Sequence, residues 1–116
     1  MINTYISLQK IKATGTLIGN LKVGEWTFFD WNKNKFIVNY SSEGKLEGNY
    51  KEYYYDDKTD TYNLKVKGQF GTRTYKLKFG NEYKDVRKTR RIGKWEYYSE
   101  QNELLEVVIH KWKSIK

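Results

Sequence analysis

Gly24-Glu25-Trp26-Thr27-Phe28-Phe29 and Gly93-Lys94-Trp95-Glu96-Tyr97-Tyr98 share one pattern: glycine, any residue, Trp, any residue, then two aromatics. They lie 69 residues apart, three steps of 23. Between them, Gly48-Asn49-Tyr50 falls 24 residues after Gly24, Gly71 with Tyr75 falls 23 after that, and Gly93 completes the series 22 further on. Near-constant spacing makes this a repeat with units starting near Gly24, Gly48, Gly71 and Gly93, although the Gly71 unit keeps only its glycine and one aromatic. A repeat of this length changes the whole fold expectation, because each unit needs its neighbours to bury its apolar face.

Within a unit the pattern is β. Side chains alternate across a strand, so Trp26 and Phe28 share one face while Phe29 and Trp31 take the other. Asn32-Lys33-Asn34, Ser41 to Gly44, Asp56 to Asp60, Gly80-Asn81 and Gln101-Asn102 supply turn chemistry after the aromatic or alternating runs. Lys35–Tyr40, Tyr62–Lys67 and Thr74–Phe79 alternate apolar with polar or cationic residues, as half-buried antiparallel strands do. The tail, Glu103 to Trp112, fits either period. Its adjacent Val107, Val108 and Ile109 disfavour helix, and a strand is expected.

Composition agrees with a thin, ring-built core. Leu, Ile, Val and Phe make up 27 of 116 residues, just above the level typical of disordered chains, but aromatics reach 17% with eleven Tyr and four Trp. Each ring can bury roughly 150–250 Å² and so replace missing aliphatics. The absence of Cys removes disulfides, thiol nucleophiles and Cys-zinc sites, and suits a reducing compartment. A lone His110 cannot build a multi-His metal site. Residues 1–12 lack the apolar stretch of a signal peptide, and no window approaches a membrane span, so a soluble cytoplasmic protein is the expectation.

The segment Gly15-Thr-Leu17-Ile-Gly19-Asn-Leu21-Lys-Val-Gly24-Glu-Trp26, with Gly44-Lys-Leu46-Glu-Gly48-Asn-Tyr50 and the Gly93 unit, resembles the MORN repeat in its divergent bacterial form. The resemblance runs from about residue 15 to 109 and is weak over 65–91. It implies β-hairpins stacked into an elongated, curved single-layer sheet whose aromatics stack along the concave face. It also implies a binding scaffold for proteins or phospholipids, often labelled antitoxin, and carries over no catalytic residue. Fold does not determine function.

Two features invite a binding role. Lys84 to Lys94 holds six cations, Lys84, Arg87, Lys88, Arg90, Arg91 and Lys94, against one anion. Such a cluster could track phosphates, dock an acidic protein, or simply solvate and protect a sheet edge. Tyr53-Tyr54-Tyr55 is repeat stacking if covered and a protein-binding hot spot if exposed. Asp56-Asp57-Lys58-Thr59-Asp60 fails the calcium-loop pattern, with Lys at the third position and no Gly at the sixth, and reads as a hairpin turn. His110 reads as a surface residue, and Glu25, Glu47, Glu96 and Glu106 as solvent-facing cross-strand partners.

The sequence therefore predicts a single all-β domain over residues 1–116, an elongated single-layer antiparallel meander of roughly nine or ten strands with a short C-terminal cap. Gly24, Trp26, Phe28, Gly48, Tyr50, Gly71, Tyr75, Gly93, Trp95 and Tyr97 form its structural repeat. No catalytic residue, metal or cofactor is expected. The expected function is a non-catalytic antitoxin- or immunity-type module that neutralises an acidic toxin or effector. It would act through its curved aromatic face, with Tyr53, Tyr54 and Tyr55, and through Arg87, Lys88, Arg90, Arg91 and Lys94. The alternative is a nucleic-acid or anionic-membrane binder using the same cations. A monomer or an edge-paired homodimer fits either.

Overall fold

The computed structural model describes residues 2–6 and 12–111. Eight strands form one antiparallel sheet in sequence order: β1 (Ile2–Ile6), β2 (Lys12–Ile18), β3 (Leu21–Phe29), β4 (Lys35–Tyr40), β5 (Gly48–Asp56), β6 (Thr61–Phe79), β7 (Glu82–Tyr98) and β8 (Leu104–His110). The described residues contain no helix, so none is long and apolar enough to cross a membrane. The molecule measures 61 × 37 × 21 Å, as a single open, curved sheet should.

The expected turns fall where the Gly, Asn and Asp signals lie, and the tail is the strand β8; Trp112 lies outside the described residues. The strand count is the first correction. Tyr62–Lys67 and Thr74–Phe79 belong to one 19-residue strand, β6, which pairs with the 17-residue β7. Gly71 and Tyr75 therefore start no repeat unit. Gly71 sits in mid-strand opposite Arg90, with no positive φ to bend the chain.

Three hairpins remain, β2–β3, β4–β5 and β6–β7, and the outer two are built alike. A Cβ on Gly15 would lie 2.1 Å from Trp26 Cδ2, and one on Gly68 would lie 2.2 Å from Trp95 Cδ2. Each indole thus lies flat on a glycine of the preceding strand. The register shifts there, between Thr14 and Thr16 and between Lys67 and Gln69. Gly24 (φ 69°) and Gly93 (φ 66°) supply the left-handed backbone that such a bulge needs. The indole Nε1 then donates to the carbonyl after the covered glycine: Thr16 O at 3.0 Å, and Gln69 O at 3.2 Å. The motif glycine and the covered glycine are thus different residues, a division of labour the sequence pattern alone did not separate.

The middle hairpin substitutes both partners. Gly48 keeps its positive φ of 94°, Tyr50 replaces Trp, and the register places buried Val38 where the others have glycine. Tyr50 packs on Trp95 and Phe70, with centroids 5.6 and 5.4 Å away, and Phe70 meets Trp95 edge-on at 5.2 Å. Trp26 and Trp95 are 0% and 1% exposed and form the core with Val38 and Val66.

Candidate functional site

β5 leaves β6 after the Gly48↔Phe70 pair, and β8 joins β7 only from Gly93↔His110 onward. Residues Gly71–Phe79 and Glu82–Arg90 consequently pair only with each other, with Arg91 opposite Phe70 at the root of the arm. At about 3.4 Å per residue this two-stranded arm is roughly 30 Å long. It holds all four of the chain's Arg and eight of its cations against two carboxylates, Glu82 and Asp85, which puts six of the eight net positive charges in 21 residues.

The register distributes these charges evenly. Lys76, Lys78, Arg87 and Arg91 lie on the face shared with Trp95, and Arg73, Lys84, Lys88 and Arg90 lie on the opposite face. A hydrogen-bond-distance contact of 3.1 Å between Thr72 Oγ1 and Thr89 Oγ1 fixes the alignment between them. The segment read as one basic cluster is thus two opposed basic faces, with Lys94 beyond the bulge and opposite Ile109. At the tip each face carries one exposed ring under a lysine: Tyr83 with Lys78 Nζ 6.0 Å from its centroid, and Phe79 with Lys84 Nζ at 5.7 Å. The sequence offers Tyr83, beside the basic cluster, as a ring that could stack on bases, but does not single out Phe79, whose signal was position, since a hairpin tip has no neighbouring strand to cover an aromatic.

Among the predicted cations, Arg87 and Arg91 work inside the molecule. Arg91 lies with its guanidinium carbon 4.7 Å from the Trp95 ring centroid, and its Nη1 donates to Tyr97 Oη at 3.2 Å. Arg87 pairs with Glu43 in the β4–β5 loop, tethering the arm to the sheet. Lys88, Arg90 and Lys94 are exposed.

The Tyr53-Tyr54-Tyr55 run is half-buried and internally engaged. Lys35 Nζ lies 4.7 Å from the Tyr53 centroid and 4.4 Å from that of Tyr62. Tyr54 Oη donates to Tyr98 O at 3.3 Å, and Tyr55 Oη to Asp60 Oδ1 at 2.7 Å. That last bond, with some desolvation and the nearby negative charge, pushes the Tyr55 hydroxyl up to about 12. Tyr50 is raised further, first by burial and then by its bond to Glu52. The curved aromatic face is thus largely consumed by its own stacking.

Other candidates resolve similarly. Asp60 (φ 53°) and Asp56, which accepts the Lys58 N–H at 2.9 Å, build a hairpin turn. Trp31 lies in the turn after β3 and is exposed, not on the far strand face. His110 is half-buried and edge-on to Trp95 at 6.2 Å, instead of at the surface. Among the described residues no group of three or more His, Cys, Asp or Glu could hold a metal ion.

No family model, curated protein or solved structure matches the chain.

Proposed function

We propose that this protein is a non-catalytic binding module that holds the phosphate backbone of a nucleic acid through the β6–β7 arm. The observation that carries the reading is the placement of cations on both faces of a ribbon bearing six of the eight net charges: Arg73, Lys84, Lys88 and Arg90 on one, and Lys76 and Lys78 on the other beside Arg87 and Arg91, which also hold contacts within the molecule. A globular acidic protein would use one face of such a ribbon. A groove with phosphates on both walls uses both, and a duplex major groove admits a two-stranded β-ribbon. The exposed tip rings add a stacking surface for bases.

Titrating a labelled duplex oligonucleotide over a salt series tests this. Affinity is expected to fall linearly on a log–log plot, with a slope near −0.9 per phosphate neutralised. Replacing Lys84, Lys88 and Arg90 with Ala should reduce that slope by roughly two to three. No binding at low salt, or binding indifferent to salt, refutes the reading.

The second reading is the antitoxin- or immunity-type protein that the MORN resemblance implies, in a cytoplasmic setting. What supports it is the recurrence of a positive-φ glycine, one residue and a stacked ring in three consecutive hairpins. Its acidic protein partner would also meet the arm, because the curved face keeps its indoles covered. A complex anchored on Phe79 and Tyr83 would survive moderate salt and fail when those rings are truncated.

A further inference from the structure

We propose that β8 is a homodimer interface, pairing antiparallel with β8 of a second copy about a two-fold axis through Val107. This is independent of the arm's partner. β8 is an edge strand of the sheet among the described residues; a bulge at Leu105, where its pairing with β7 shifts register, interrupts its start, but the run from Glu106 to His110 is regular and lacks the Lys and Pro that normally keep edges apart. Between Leu104 and His110 it has no Lys and no Pro, and Glu106 is its one charged residue. Val107 and Ile109 share one face at 41% and 56% exposure, and Leu105, at the bulge, is 65% exposed. The β7 residues beside them, Lys94 opposite Ile109 and Glu96 opposite Val107, give this row no apolar cover.

A second copy fits because the strand is complementary to itself. A continuous sheet requires a two-fold perpendicular to it, so paired residues share a face and only registers that match odd with odd positions are allowed. Centring on Val107 pairs the whole strand. Val107 then faces its own copy, the bulged Leu105 comes beside Ile109 of the partner subunit, and Glu103 lies near Lys111 of the partner subunit at both ends. Centring on Glu106 sets two carboxylates directly opposite, and centring on Val108 leaves Leu104 and Leu105 without strand partners. Charge and apolar pattern select the same register.

Light scattering coupled to size exclusion, across a concentration series of the full chain, should show a dimer in exchange with monomer. Val107→Lys sets like charges face to face and should weaken the dimer roughly tenfold. Glu103→Lys alone should weaken it by a few-fold, and adding Lys111→Glu should restore it, which a folding defect would not do. Because the chain has no cysteine, Val107→Cys gives a single position for a short bis-maleimide, which should link two copies while Lys58→Cys should not. A monomer at every concentration overturns the proposal, whether the row is then covered by residues beyond Lys111 or by a different protein. Failure of the charge swap to restore the dimer overturns the register.

Discussion

Trp95 lies against the α-carbon of Gly68 so closely that a single added methyl would sit 2.2 Å from the indole Cδ2. The neighbour is a rigid ring held by its own hydrogen bonds to Gln69 O and Ile92 O, so it cannot yield by a rotamer change. Gly68→Ala should displace the indole and cost about 3–5 kcal/mol, the order of losing a buried aromatic. Gly15→Ala should behave alike under Trp26. Gly71→Ala is the contrast: its Cβ would meet Ile92 Cδ1 at 2.6 Å, the movable end of a flexible side chain. Urea denaturation followed by Trp fluorescence checks all three, and equal losses would show that the glycines are not specialised.

Gly93 tests the other half of the motif. At φ 66° a side chain is strained whatever the space around it, so Gly93→Ala should cost about 1–2 kcal/mol while leaving Trp95 covered. The expected signature is a lower urea midpoint with an unchanged fluorescence maximum in the native state.

Arg91 separates a structural cation from a binding one. Arg91→Ala should uncover the ring face and cost about 1 kcal/mol, with a red-shifted Trp emission. Arg91→Lys should retain part of the stability but lose the donor to Tyr97. Lys88→Ala, on the opposite face, should leave both stability and emission unchanged.

These contrasts mark what the sequence could and could not convey. Alternation and turn chemistry placed the β class, the turns and β4 with its ends, because each depends on residues close in sequence. The length of β6 was hidden because Gly71 read as the start of a repeat unit and the alternating run before it ended at Lys67. Gly68, the next residue, makes room for a ring 27 residues away, a requirement visible only once the strands are paired. For the same reason the even split of cations between two faces stayed hidden: parity matters only if the strand is continuous. Arg91 and the Tyr run looked like free binding groups because their partners, Trp95, Lys35 and Tyr98, are set by packing across the sheet.

High pH should unfold the protein. Tyr50 is raised above 10.0 by burial, then by Glu52, with Arg91 opposing; Tyr55 reaches about 12 through its bond to Asp60. Tyr98 is raised mainly by its hydrogen bond to Glu96, and Tyr62 and Tyr40 mainly by burial. A tyrosine that stays protonated longer in the folded state contributes stability that is complete below the unfolded value and lost as pH rises through the folded one. Stability from these groups should be level below pH 10 and decline from about 10 upward. Urea midpoints measured across that range should show the decline, and Tyr50→Phe should make it shallower; a midpoint that rises with pH would contradict the assignment.

The arm should be separable from the sheet. Replacing residues 73–88 with Asn-Gly closes the paired Thr72 and Thr89 with a turn that suits two antiparallel strands. The Gly68–Trp95 stack, the Arg91 cover and the β7–β8 ladder all lie on the sheet side of that junction. The lost Arg87–Glu43 pair is exposed and contributes less than about 1 kcal/mol. The shortened chain is therefore expected to keep its cooperative unfolding and lose salt-dependent binding to duplex oligonucleotide. If it unfolds, the arm is part of the scaffold; if it folds and still binds, the binding surface lies elsewhere on the sheet.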